Sequence, residues 1–120
     1  MQERARDVCD RTFRFAVAIV RFCRQLDERP GVSRTLSKQL LRSGTSIGAN
    51  VEEAQAGQSR NDFISKYSIA LKEARETSYW LRLLIASEVN VTSSAVELQK
   101  EVMELARILG AIIVATKRSN

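Results

Sequence analysis

The chain of 120 residues is 44% hydrophobic, has one proline and five glycines, and sets nineteen Lys and Arg against fourteen Asp and Glu. This length and composition exclude a disordered tail and fit one domain, residues 1–120, large enough to bury its own core. The net charge of +5 favours a polyanionic partner, while the lack of any histidine removes the usual acid–base and triad chemistries.

No apolar run approaches the ~18 residues of a membrane span. The longest runs are "FAVAIV" (15–20) and "ILGAIIVA" (108–115). The opening "MQERARDVCDR" lacks the apolar segment of a secretory signal, so a cytoplasmic protein with no membrane partner is expected. Cys9 and Cys23 lie fourteen residues apart. On one helix that is about 21 Å, too far for a disulfide, so free thiols are expected.

Residues 3 to 28 repeat with helical period. Val8, Phe13, Ala16, Ile19, Val20, Phe22, Cys23 and Leu26 share about half of the wheel, opposite Arg6, Asp10, Arg14, Arg21 and Arg24. An arc this wide predicts contact on two sides. "ERPGV" (28–32) breaks the helix, and Ser33 is the expected N-cap of a second, over 34–57. Its apolar stripe is narrow: Leu36, Leu40, Ile47, Val51 and Ala54.

"RSGTSIGAN" (42–50) lies inside that second helix. A phosphate-cradling loop needs two glycines five apart, a following Lys-Ser/Thr and a preceding strand. Here Gly44 and Gly48 are four apart and the stripe continues through Ile47. Each Gly costs a helix about 1 kcal/mol against Ala, so the stretch is expected to trade propensity for close approach of another helix.

Ser59 or Asn61 can cap a third helix running to Glu88. Its core stripe is Phe63, Tyr67, Ala70, Leu71, Ala74, Leu81 and Ile85. A second stripe holds Ile69, Glu73, Glu76, Trp80 and Leu83 or Leu84, and is expected to form a subunit interface. The "VNVTSS" turn (89–94) follows, with Ser94 and Glu97 in capping-box spacing. A fourth helix carries Leu98, Val102, Leu105, Leu109 and Ile112. No strand is expected; the fold class is all-α, an antiparallel up-down four-helix bundle.

Glu73 and Glu76, with Glu52 and Glu53, resemble the acids of di-metal bundles, but those sites want Glu-x-x-His pairs. No metal and no cofactor are therefore expected, and the acids should pair with arginines such as Arg42 or Arg75. Arg4, Arg11, Arg14 and Arg21 recur at steps of seven, three and seven, with Arg24 nearby and Lys117 and Arg118 late in the fourth helix. A solubilising face is the plain reading of this stripe. The functional reading is a phosphate-binding surface for structured RNA or duplex DNA, with few aromatics for base stacking.

"RSGTSIGANVEEAQAGQSRNDFISKYSIALKEARETSYWLRLL" (42–84) resembles the bacterial four-helix-bundle family encoded in intervening sequences of large-subunit ribosomal RNA genes. The motif residues are Arg42, Ser43, Ser46, Ile47, Asn50, Glu53, Phe63, Glu73, Glu76 and Trp80, and Ala54 stands where many members carry Gly. "YWLRLL" (79–84) and "RILGAII" (107–113) are similar to a related branch, the accessory protein of diversity-generating retroelements. The resemblance implies a homo-oligomer, a pentameric barrel, with a basic surface suited to nucleic acid. The expectation is a non-enzymatic protein whose partners are its own copies and RNA or DNA. The alternative is a ring that serves as a protein–protein scaffold with no nucleic-acid role.

Overall fold

The computed structural model describes the backbone of residues 2–57 and 59–119, with side chains from Arg6 onward. Four helices follow in order: α1 (Gln2–Leu26), α2 (Val32–Gln55), α3 (Arg60–Ala86) and α4 (Ser93–Arg118). Each packs against the next in sequence, and the short turns make neighbours antiparallel. The rod measures 50 × 21 × 20 Å. The α1–α4 seam, which closes the bundle, is much looser than the other three.

The helix starts and the end of α3 have local chemical causes. Gly31 takes φ 88, a conformation open to glycine, and starts α2 at Val32 with no side-chain cap. Ser33 is thus not the cap: it is buried one residue inside the helix, and its Oγ donates to the Leu26 carbonyl at 2.8 Å, tying α2 to the end of α1. Ser59 accepts from the Asp62 amide and caps α3. The cap of α4 is Thr92, which accepts from the Ala95 amide at 3.3 Å; the Ser94–Glu97 capping box does not form. The helix α3 ends in a Schellman arrangement, with Glu88 at φ 60, its amide donating to Ile85 and the Val89 amide to Leu84.

The core is lined by Ile19, Leu40, Ile47, Val51, Tyr67, Leu81, Leu84, Val102, Leu105 and Leu109, all fully buried. Three residues expected there are not in it: Phe13, Val20 and the half-buried Ala16. Phe13 is 59% exposed and Val20 40% exposed, while Thr12 and Phe15 are buried in their stead. The helical period explains the difference: Thr12 and Phe15 flank the direction of Ile19, whereas Phe13 and Val20 sit on the outer flank toward α2. Thr12 satisfies its hydroxyl inside α1 by donating to the Val8 carbonyl at 2.8 Å.

The glycines of α2 do what their spacing predicts. A Cβ on Gly44 would lie 2.9 Å from Cγ1 and Cγ2 of Ile19, and one on Gly48 would lie 3.2 Å from the Thr12 carbonyl oxygen. Residues 42–50 are therefore a helix stripped of bulk so that α1 can approach it. Cys23 is buried and Cys9 half-buried, and both are free thiols. Burial pushes the Cys23 thiol up to about 11.

Candidate functional site

The acidic stripe of α3 is a joint inside the chain. Arg42 on α2 reaches Glu73 at 3.3 Å with one guanidinium nitrogen and pairs with Glu76 through another. Glu76 also accepts from Trp80 Nε1 at 3.0 Å, one turn along α3. The Trp80 N–H and then the Arg42 guanidinium hold the Glu76 carboxyl below the usual carboxylate range. Trp80 is half-buried and packs against the core, with Tyr79 edge-on to it at 5.2 Å.

Most of the stripe expected as a subunit interface is thus engaged within the chain. Leu84 is a core residue with no exposed surface, since it faces α2 rather than outward. Glu73, Glu76 and Trp80 have partners within the chain. Leu83 is half-buried and Ile69 39% exposed, and these two keep apolar surface on that side without a polar tie inside the chain.

The rest of the quoted motif extends the same seam. Ser43 accepts from Thr77 Oγ1 at 2.9 Å, with both residues buried, and Glu53 pairs with Lys66 at 2.8 Å. Ser46 and Asn50 are bonded within α2: Ser46 Oγ donates to the Arg42 carbonyl, and Asn50 Nδ2 to the Ser46 carbonyl. The motif is thus a set of polar ties that hold α2 to α3 and stiffen α2. Among the described residues no group of three or more His, Cys, Asp or Glu is placed to hold a metal ion.

The basic stripe of α1 divides. Arg11 is bound in a two-pronged pair to Glu101 of α4, at 2.7 and 2.9 Å, which neutralises it as a free phosphate donor. Arg14, Arg21 and Arg24 are exposed, and none has a carboxylate within ion-pair distance among the described residues. Lys117 and Arg118 are exposed in the last turn of α4. The Arg4 side chain lies outside the described residues.

Residues 4–111 match the family of 23S rRNA-intervening sequence proteins. The chain belongs to that family. A solved relative of this 23S rRNA-intervening sequence protein is a protein of unknown function from the S23 ribosomal protein family of Bacteroides thetaiotaomicron VPI-5482. It is 45% identical, with a TM-score of 0.84 over 92% of this chain and 97% of that one. No curated protein matches. No helix among the described residues is long and apolar enough to cross a membrane.

Sequence reasoning missed two features of this family member. One is the exposed apolar line of Phe13 and Val20, with Leu41 38% exposed on the adjoining flank of α2. Its signal was the width of the apolar arc on α1. The other is a groove of about 460 Å3 along the α1–α4 seam, lined on one side by Arg11, Arg14 and Arg21 and on the other by Glu97 and Glu101. A seam between the first and last helices has no sequence signature, because nothing local records how far apart chain-distant helices stand.

Proposed function

We propose that this protein is a non-enzymatic, self-associating four-helix bundle that binds structured RNA or duplex nucleic acid by phosphate contact. The observation that carries the reading is the trio Arg14, Arg21 and Arg24 on one helix, exposed and without counter-ions among the described residues, in a chain of net charge +5. Lys117 and Arg118 add to the same potential from the end of α4. Guanidinium groups of this kind contact phosphate oxygens without reading bases, so affinity is electrostatic and sequence-tolerant. Self-association would multiply weak contacts through effective concentration. Membership in a family named for ribosomal RNA intervening sequences supports RNA over DNA as the ligand. Two free thiols suit the reducing cytoplasm.

The self-contact is assigned to the Phe13–Val20–Leu41 face, with Ile69 the nearest remnant of the α3 stripe. Five copies in a barrel is the number that the family resemblance implies. The same exposed apolar face favours the second reading, a scaffold ring that displays a surface to another protein.

The test is fluorescence anisotropy with a structured RNA and a DNA duplex across a salt series. The parent chain should bind with log affinity falling linearly in log salt. Arg14→Glu/Arg21→Glu/Arg24→Glu should bind far more weakly, with a slope shallower by roughly one per lost phosphate contact. Unchanged affinity and slope in the triple variant would leave the scaffold reading.

A further inference from the structure

The α1–α4 groove has a floor and two rims of opposite sign. Phe15, Phe22 and Leu98 form the floor, with half-buried Ala18 on its wall. On the α1 rim stand Arg14 and Arg21, both without a partner among the described residues. On the α4 rim stand Glu97, also unpaired, and Glu101, which is shared with Arg11. Among the described residues only the Arg11–Glu101 pair bridges the seam by charge, and it marks the end of the groove on both helices. At 1.5 Å per residue the lining covers about 21 Å of α1 and about 10 Å of α4, or two to four helical turns.

From this we infer that the α1–α4 groove is the docking site for an amphipathic helix of another protein. Its apolar stripe would face Phe15, Ala18, Phe22 and Leu98. It would carry acidic residues along the edge beside Arg14 and Arg21, and basic residues along the edge beside Glu97. The charges select this occupant. A nucleic-acid backbone laid in the groove would bring its phosphates against Glu97 and Glu101. A uniformly basic helix would meet Arg14 and Arg21. Only a ligand with one edge of each sign satisfies both rims, and a helix seated over an apolar floor follows the same ridge-and-groove packing as the rest of the bundle.

This inference is independent of the nucleic-acid reading, although Arg14 and Arg21 serve both, so its test acts on the floor and on the α4 rim. The probe is a fluorescein-labelled designed helix of about four turns with a leucine stripe, Glu on one edge and Lys on the other. Peptides with Glu on both edges, Lys on both edges, or Ser in place of the stripe are the comparisons.

The mixed-edge peptide should bind roughly tenfold or more tightly than any of the three. Ala18→Trp, which fills the groove from a half-buried position, should abolish peptide binding while leaving helicity and duplex affinity as they were. Glu97→Lys should weaken the mixed-edge peptide and strengthen duplex binding, moving the two ligands in opposite directions. Equal binding of all charged peptides, or peptide binding unaffected by Ala18→Trp, would overturn the assignment. An oligomer that dissociates in Ala18→Trp would also overturn it, by giving the groove to a second copy of this chain.

Discussion

At Gly44 an added Cβ would meet two carbons of the fully buried Ile19 at 2.9 Å, and the neighbour cannot swing clear because those carbons are branched directly at its own Cβ. At Gly110, also mid-helix, an added Cβ meets nothing within 4 Å. The same substitution should therefore have opposite signs at the two sites. Gly110→Ala gains helix propensity and should stabilise the chain by about 0.5–1 kcal/mol. Gly44→Ala gains the same propensity but overpacks the α1–α2 seam, and should cost about 1–3 kcal/mol net. Urea unfolding of the two variants beside the parent checks both, and equal shifts would remove the packing role of Gly44. The spacing of Gly44, Ile47 and Gly48 made this role legible before any coordinates. Which residues of α1 fill the space was not, since Ile19 and Thr12 are selected by the register between two helices.

The α2–α3 hairpin is the element that the long motif encodes. The ion pairs made by Arg42 lie where burial is partial: the Glu73 side chain is 14% exposed and Glu76 31% exposed. Replacing Glu76 by Gln keeps the shape and removes the charge that Arg42 and Trp80 favour. It should cost about 1–2 kcal/mol near neutral pH. Because the folded carboxyl is held below its unfolded value, this contribution is complete above that unfolded value. It is lost as pH falls from roughly 4.3 through the lowered folded value. Thermal unfolding of parent and Glu76→Gln should therefore converge in acid and separate at neutral pH; a gap independent of pH would mean that packing, not charge, makes the difference. The sequence placed Glu73, Glu76 and Trp80 on one stripe correctly, and named Arg42 as a partner for the acids. It could not show that the stripe turns inward toward α2, because a helical wheel has no neighbours drawn on it.

For the molecule as a whole, the proposed self-association rests on the outer face of α1 and α2. Phe13 and Val20 are seven residues apart on one line of α1, and both leave much of their apolar surface in water in the single chain. Phe13→Ser/Val20→Ser should lower the mass seen by light scattering toward that of the 13.5 kDa chain. Helicity should stay unchanged, since neither side chain belongs to the core. A full-size assembly in the double variant would move the self-contact elsewhere, with Ile69 and Leu83 the next surface to change.

The sequence alone determined the helix count, the order of the turns, the close-packing role of residues 42–50 and the family. Each of these follows from period, punctuation or a long local motif, which are properties of neighbouring residues. Tertiary structure alone decided that Leu84 is core and Phe13 is not, that Arg11 is bound while Arg14 and Arg21 have no ion-pair partner among the described residues, and that α1 and α4 stand apart over an apolar floor. These depend on the rotation and separation of whole helices, which are set by the summed packing of four seams and have no counterpart in the spacing of residues along one.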